Sequence, residues 1–552
     1  MLLSYRKLFS LFIAATLPAA VCISAVSANA ESAAGKKIID FGGPPALGGI
    51  GRNPLAIKNT GAKIIDALPV DGFVYSLSSA GDGSLVTSKY MTPGYAVSYD
   101  ALKPDIEAMS GMDLKRAKDN FLRINVAADL TAGWFDDIAW ERILANATVA
   151  SRAAHEARAA GFLLDTEQYN INKPFSYMSQ PDRLEKSFED YRAQVRKRGR
   201  EFMRALSSSC PGTKVLITFS NSYLVDKSSP LRIKGMGLWP AFLDGMMDAD
   251  LKAEFIDGYE QSYTYRTYAE FRQARKLIKE DGAAVSQDPR RYKRRIKVAF
   301  GLWLGSPEGE LNRDDFSKNH FSPEEFKHAL HYALRLSDGY VWLYAARWLK
   351  LPDEYMEAVK RAREPQSLDF KPAQRPGRGP LDYKIVSTRN KPGRADGSVF
   401  EPYVRAGYDQ SYDFPKQWRF RLDPADKGIR EDWYGRYDAR QWRDINISDW
   451  WEPQIGQTYL GYAWYRFELD APGEWKGRKL LLVFGAVDEQ AWVWVNCKAA
   501  GKHAYGTDGW NVPFEIDVTG SVVPGARNIL CVRVHNSAGP GGIWKSVRVF
   551  SK

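Results

Sequence analysis

The pattern of apolar and polar positions divides the chain into two regimes. From residue 36 to about 351, short apolar runs alternate with stretches of helical period. The runs fall at 37–41, 72–78, 121–127, 161–167, 214–220, 254–260, 296–304 and 339–344. Helical stretches lie between them. The clearest is 137–160, where Trp140, Ile143, Leu144 and Ala147 recur at i, i+3, i+4 and i+7. Others are 181–206, 268–281 and 322–336. Short apolar strands joined by helical crossovers predict a (β/α)8 barrel over 36–363, with a doubly wound open sheet as the alternative. The barrel is preferred because polar and aromatic residues crowd the C-terminal ends of nearly all the strands, not a single switch point.

Beyond residue 363 the pattern changes. A Pro/Gly/Arg-rich stretch, 364–380, reads as a linker. After it helical period disappears and short strands alternate at 464–469, 479–484, 491–496, 513–518, 529–535 and 544–550. Turns such as Pro472-Gly473 and Pro524-Gly525 separate them. This predicts an antiparallel β-sandwich over 381–552. Eleven of the 17 tryptophans lie in this half, after Lys416.

Composition adds bounds. Of 552 residues 44% are hydrophobic and 26% charged, as in a globular protein of two or three domains. Met1–Ala30, basic at Arg6-Lys7, apolar from Leu8 to Val26 and ending Ala28-Asn29-Ala30, reads as a cleavable signal peptide; the expectation is a secreted or periplasmic protein. No other stretch has the ~18 apolar residues of a membrane span. The net charge of +11 is spread without an arginine-rich block, which argues against nucleic acid and is compatible with an acidic glycan. Outside the leader stand Cys210, Cys497 and Cys531; the last two lie on predicted strands of one domain and could bridge or remain thiols. The six histidines give no metal motif, and His328 and His331 sit on a helix with a Ser322 capping box. No cofactor is expected.

The chemistry gathers at the barrel strand ends. The fourth run closes Asp165-Thr166-Glu167-Gln168-Tyr169 and the sixth Asp257-Gly258-Tyr259-Glu260-Gln261-Ser262-Tyr263. Asp165 and Glu167 are two apart and share a face of an extended chain. A carboxylate at the end of a buried strand costs several kcal/mol unless it is paired or hydrogen-bonded, so two together point to a site. The structural alternative is that Asp165 merely holds the following loop. The third run offers Arg123 and Asn125, the fifth Asn221 and Tyr223, the seventh Trp303, and the eighth Trp342 and Tyr344.

Carboxylates flanked by aromatic rings suit glycoside cleavage, in which one acid protonates the leaving oxygen and the other attacks or stabilises the oxocarbenium-like centre. The expected pair is Glu167 as acid/base and Glu260 as nucleophile or base, with Asp165 tuning Glu167 by like-charge repulsion. Tyr169, Asp257, Tyr259, Asn125, Asn221, Trp303, Trp342 and Tyr344 are the expected substrate contacts. On an ideal strand Asp257 and Tyr259 share a face and Glu260 takes the other, so Asp257 is a rival unless a bend brings Glu260 inward. Glu308 and Glu310 are further candidates.

Gly461-Tyr-Ala-Trp-Tyr-Arg-Phe-Glu-Leu469, Leu481-Leu-Val-Phe-Gly-Ala-Val-Asp488, Ala491-Trp-Val-Trp-Val-Asn496, Pro513-Phe-Glu-Ile-Asp-Val-Thr519 and Gly541-Gly-Ile-Trp-Lys-Ser-Val547 resemble, in order, the sugar-binding jelly-roll domain of glycoside hydrolase family 2. The resemblance covers about 417–552. It departs at Cys497, where that family has glycine, and in domain order, since the jelly roll there precedes the barrel. It implies a sandwich that binds sugar or braces the barrel. Barrels of the clan that includes family 2 carry an Asn-Glu acid at the fourth strand and a nucleophilic Glu at the seventh. Here Thr166-Glu167 stands at the fourth, and Phe300-Gly-Leu-Trp-Leu304 at the seventh has no Glu. Asp165, Glu167 and Tyr259 are loosely similar to the chitinase-type arrangement, in which the substrate's acetamido group attacks. The reading is thus an exported glycoside hydrolase. Its alternatives are a substrate-assisted hydrolase, a non-catalytic glycan-binding protein, and a metal-dependent hydrolase built on Asp40, Asp165, Glu167 and Asp257.

Overall fold

The computed structural model describes residues 32–42, 49–80, 83–128, 130–168, 173–225, 229–305, 311–344, 346–373, 399–435 and 438–552. The leader (1–30), residues 374–380 of the linker, Tyr169, Glu308 and Glu310 lie outside the described residues.

Parallel strands β1 (Lys37–Phe41), β2 (Gly72–Tyr75), β3 (Phe121–Asn125), β4 (Gly161–Asp165), β5 (Lys214–Ile217), β6 (Glu254–Asp257), β7 (Ile296–Val298), β8 (Phe300–Leu302) and β9 (Tyr340–Tyr344) form one sheet in the order β7-β6-β5-β4-β3-β2-β1-β9-β8. Only Ala299 separates β7 from β8. Because β7 pairs with β6 and β8 pairs with β9, this one split strand closes the sheet into an eight-position barrel. Ile39, Val74, Phe121, Leu163, Leu216, Ile256, Ala299 and Trp342 fill the inside. Their neighbours Ile38, Phe73, Leu122, Phe162, Val215, Phe255, Phe300 and Val341 pack outward against the helices. Burial of both faces is why these strands read as unbroken apolar runs. Helices Asp137–Glu156, Phe188–Leu206 and Pro323–Leu336 cover three of the crossovers, the latter two opened by capping boxes from Ser187 and Ser322.

Trp342 lies wholly inside the barrel. Its indole N–H donates to Gly258 O at 2.8 Å, and it rests on Gly301, where an added Cβ would meet the ring at 2.6 Å. The barrel is therefore filled at this level.

The second half is two antiparallel sheets. One contains β10 (Asp409–Asp413), β14 (Leu480–Phe484), β17 (Phe514–Asp517) and β19 (Val547–Ser551). The other contains β11 (Gln417–Asp423), β12 (Arg443–Asn446), β13 (Gly461–Asp470), β15 (Gln490–Val495), β16 (Lys498–Ala504) and β18 (Arg527–Asn536). Alternate residues from both sheets meet in one core, among them Phe420, Tyr465, Leu482, Phe484, Val493, Val532 and Val549. β10, β11, β12 and β16 were not evident in the sequence; β10 and β16 carry mostly polar or exposed residues. Asn496 and Cys497 form the β15–β16 hairpin turn with φ of 51° and 70°. Cysteine thus occupies a left-handed position that favours glycine. Cys210, Cys497 and Cys531 are free thiols.

The sandwich seats on the barrel's C-terminal rim. Phe400, Tyr403, Leu481, Val483 and Phe550 pack with Leu184 of the loop after β4. Arg183 donates to Tyr403 Oη at 2.8 Å, and that hydroxyl donates to Glu515 at 2.6 Å. From the loop after β5, Lys234 pairs with Asp508 at 2.8 Å and Ser229 bonds the same carboxylate.

Two stability changes follow from local chemistry. Asp40 faces the helix layer, fully buried, with neither oxygen hydrogen-bonded among the described residues. Burial pushes its carboxyl up to about 7. The folded state then holds a proton that the unfolded chain has lost, so stability falls as pH rises from the ordinary carboxylate range through about 7. Asp40→Asn is expected to be more stable than the parent at pH 8 by on the order of a few kcal/mol and equal to it in acid, read by urea denaturation at both pH values. Cys497→Gly should gain about 1 kcal/mol by relieving the left-handed cysteine, again by denaturation.

Candidate active site

Each site residue reaches the layer at the strand ends for a local reason. On β3 and β4, alternation continues the inward series Phe121, Arg123 and Leu163, Asp165. Arg123 Nε donates to Asp165 at 3.2 Å, and a second guanidinium nitrogen pairs with the same carboxylate. The other Asp165 oxygen accepts the Glu167 amide N–H at 3.1 Å. Between them Thr166 points outward and donates to Phe219 O at 2.8 Å, which fixes the end of β4 to the end of β5. With Thr166 outward, Glu167 turns inward. Asp165 thus holds the next peptide and lies close enough to Glu167 to raise it.

Glu260 arrives by a different route. After β6, Tyr259 adopts a left-handed conformation, φ 38° and ψ 71°, and a single 3-10 turn follows over Glu260–Ser262. Ser262 Oγ donates to Tyr259 O at 2.7 Å and to Gly301 O at 2.8 Å, tying the turn to β8. The strained residue breaks the strand's parity. Its own ring swings out onto Phe300, with its hydroxyl 3.1 Å from Tyr265 Oη. Glu260 comes in towards Asp165 and Glu167. A non-glycine residue held left-handed costs of order 1–3 kcal/mol, and such residues gather at functional sites.

The electrostatics join the two glutamates. Burial, then the Glu260 charge, then Asp165 raise Glu167 to about 8, against the opposing pull of Arg123. Burial raises Glu260 to about 7, with Asp165 adding to it while Tyr263 and Arg123 oppose. The Tyr263 phenol stands beside Glu260 and has no closer polar partner among the described residues. A cluster of rings adjoins the carboxylates. Tyr263 stacks on Tyr344 at 5.5 Å and meets Trp342 and Trp303 edge-on at 5.3 and 5.9 Å. Phe41 packs on Tyr344 at 5.6 Å and lies under the Arg123 guanidinium at 5.3 Å.

Several expected contacts lie elsewhere. Asp257 is on the outward face of β6 with Phe255; it accepts the Tyr259 amide at 3.1 Å and sits by Ser220, Ser222 and Tyr292. It therefore cannot rival Glu260. Tyr259 is outward as described. Asn221 is fully buried in the helix layer, donating to Gly282 O at 3.2 Å, because a 3-10 turn (Asn221–Leu224) begins there. Asn125 shares the inward face, but its carbonyl oxygen is taken by the amides of Ala127 and Ala128 at 3.0 and 2.6 Å. Trp342 is the floor rather than a contact wall. Asp40 and Asp257 both face outward, so the four carboxylates of a metal-dependent reading do not converge. Among the described residues no group of three or more His, Cys, Asp or Glu could hold a metal ion.

Arg123, Tyr263, Phe41 and Tyr223 belong to this layer and were not among the expected contacts. Tyr223, half exposed, lies near enough to feel both Glu167 and Asp508, so the sandwich loop carrying Asp508 reaches the barrel mouth. The only sequence signal for Tyr263 was its place in the run after β6; for Arg123 it was a charge alternating with apolar residues on β3.

No family model matches the chain. A β-glucuronidase of Paenibacillus borealis is 30% identical over 122 residues, which are 22% of this chain and 20% of that protein. Over that stretch the chain is similar to a β-glucuronidase. It spans only about a fifth of the length of this curated relative. Among solved structures, Ruminococcus gnavus β-glucuronidase aligns at 20% identity over 26% of this chain and 29% of its own, with a TM-score of 0.24. The same enzyme in complex with D-glucuronic acid aligns at 19% identity over 25% and 29%, with a TM-score of 0.23.

The coupling of the two glutamates is directly measurable. Glu260→Gln removes a neighbouring charge and should move the Glu167 titration downward; Arg123→Gln should move it upward. Carboxyl 13C NMR of glutamate-labelled protein reads both, and an unmoved Glu167 signal in Glu260→Gln would place the carboxylates in separate environments.

Proposed function

We propose that this protein is an exported glycoside hydrolase that cleaves a glycosidic bond in an oligo- or polysaccharide, with Glu167 as acid/base and Glu260 as nucleophile or base. The observation that carries the reading is that Glu167 and Glu260, from the segments that follow two separate strands, share one half-buried layer bordered by aromatic rings. The β-glucuronidase similarity over 122 residues supports the same class of reaction. An acidic glycan is the favoured substrate class, in keeping with the net charge of +11. Export rests on the pattern of Met1–Ala30.

Burial and mutual repulsion hold both carboxyls above the ordinary carboxylate range, so the pair shares a proton near neutral pH. Glu167 is assigned that proton and gives it to the departing glycosidic oxygen. Glu260 is assigned the charge and is steadied as a carboxylate by Tyr263 and Arg123. It then attacks the anomeric carbon or takes a proton from water; in the former case Glu167 deprotonates the water that releases the sugar. Trp303 and Tyr344, both partly buried, offer ring surface to the sugar's C–H groups, with Tyr263 buried behind them. The substrate-assisted alternative loses its tyrosine, since Tyr259 faces the helix layer, and its aspartate is held by Arg123. A purely binding role leaves two elevated carboxyl groups in one hollow without a task.

The test is hydrolysis of a panel of neutral and acidic glycans and aryl glycosides. Glu167→Gln and Glu260→Gln should fold normally and each lose at least about 100-fold in kcat/KM. The wild-type profile should be bell-shaped, with both limbs displaced above the ordinary carboxylate range because both carboxyls are raised. Glu167→Gln should lose the falling limb on aryl glycosides with good leaving groups. Undiminished turnover in Glu167→Gln refutes the assignment.

A further inference from the structure

The strands that deliver the two glutamates end in the same device, used in opposite senses. On β4, Asp165 faces the barrel interior and accepts the amide N–H two residues on, that of Glu167, at 3.1 Å. On β6, Asp257 faces the helix layer and accepts the amide N–H two residues on, that of Tyr259, also at 3.1 Å. Residues two apart at a strand end lie on one side of the barrel wall. The residue held on β4 is therefore the inward Glu167. On β6 it is an outward tyrosine, and Glu260, one position further, is left to the interior.

The contacts around Tyr259 show how firmly this course is imposed. Gly258 donates its N–H to Ile217 O on β5 at 2.8 Å, so closely that an added Cβ would meet that oxygen at 2.7 Å. From inside the barrel, the Trp342 indole N–H donates to the Gly258 carbonyl at 2.8 Å. From the helix layer, Asp257 takes the next amide N–H. The planar peptide between Gly258 and Tyr259 is thus gripped at both edges, which fixes the torsions on either side of it. The Tyr259 carbonyl is fixed in turn. Ser262 Oγ lies 2.7 Å from it and 2.8 Å from Gly301 O, and the Ser262 amide donates to it at 3.2 Å. Asp257, Ser262 and Trp342 are all fully buried. A left-handed tyrosine persists only where its surroundings over-determine it, and these three side chains do so. Asp257 is itself unfavourably placed: burial raises its carboxyl to about 6, with Ser222, the Tyr259 amide and Ser220 opposing. A strained residue and a buried carboxyl therefore meet at the one peptide that aims Glu260.

We propose that Asp257, Ser262 and Trp342 are positioning residues for Glu260, which act by clamping the Gly258–Tyr259 peptide and the Tyr259 carbonyl in the left-handed turn. Their effect on catalysis rests on the glycosidase reading, in which Glu260 is the second carboxylate. Their effect on where Glu260 stands does not.

Four variants of the full chain test this: Asp257→Leu, Asp257→Asn, Ser262→Ala and Trp342→Phe. The first readout is the Glu167 titration by carboxyl 13C NMR, because the Glu260 charge is one of the causes that raise it. Asp257→Leu, Ser262→Ala and Trp342→Phe should each move it downward, in the direction of Glu260→Gln, as Glu260 leaves its place. Asp257→Asn keeps an acceptor for the Tyr259 amide and should leave it unmoved; it also lacks the charge, so it separates loss of the grip from loss of the charge. The second readout is turnover of an aryl glycoside. There kcat should fall about 100-fold in Asp257→Leu and about tenfold in Ser262→Ala and Trp342→Phe, with KM little changed, and Asp257→Asn should restore most of the loss. An unmoved Glu167 titration in every one of the three disruptive variants that folds overturns the positioning role, as does Asp257→Asn behaving like Asp257→Leu. The two readings fail separately. Shifted titrations in a protein that cleaves no glycoside keep the positioning and lose the hydrolase, and cleavage with unshifted titrations does the reverse.

Discussion

Two carboxylates within electrostatic range of each other in a half-buried layer cannot both remain charged at low cost, and much of the local architecture serves that conflict. Burial is the first cause of the raised titration of both Glu167 and Glu260, and mutual repulsion comes second for Glu167. What keeps the pair unequal is the placement of the remaining groups. Tyr263 favours the ionised form of Glu260 alone, while Arg123 acts on both and is itself shared with Asp165. The result is a pair that holds one proton more readily than it holds two charges, the state that the proposed acid–base cleavage would use.

That arrangement depends on chain geometry beyond the hydrogen-bonded ladder. The parallel pairing ends at Asp165 on β4 and Asp257 on β6, and every group that carries the proposed chemistry except Arg123 and Asp165 lies past those ends or on the aromatic wall. On β4 the extended course simply continues, because Thr166 is bonded across to β5. On β6 it does not. A left-handed Tyr259 and a 3-10 turn pinned by Ser262 exchange the faces of Tyr259 and Glu260. The split between β7 and β8 at Ala299 is part of the same device, since the turn is tied to Gly301 on β8.

This explains what the sequence could and could not disclose. Barrel strands buried on both faces leave apolar runs that need no partner to be recognised, and all of them fall where the pattern put them. Glu167 follows from simple alternation. Asp257, Tyr259 and Glu260 do not, because alternation holds only while the ladder does, and nothing in Gly258-Tyr259 announces a left-handed tyrosine rather than a left-handed glycine. Asn221 misled for the same reason: the chain had already entered a helical turn. In the sandwich most strands with inward apolar residues were legible, but β11 and β12 were not, although Trp418, Phe420 and Ile445 enter the core. β10 and β16, mostly polar or exposed, were not, because their places are assigned by neighbours distant in sequence.

The sandwich's seat on this face of the barrel has a physical consequence of its own. A domain that only stabilised the barrel could dock equally well on the helices or on the opposite rim, where no ligand approaches. Here it contacts the loops after β4 and β5, the segments that continue from Asp165 and Ile217. Its Asp508 loop comes within electrostatic range of Tyr223, which in turn senses Glu167. A docking surface built from strand-end loops makes the position of those loops, and so of the layer they enclose, conditional on the docked domain. The Arg183–Tyr403–Glu515 and Lys234–Asp508 contacts therefore do more than join two folds: they fix one wall of the space through which any ligand must reach the carboxylates.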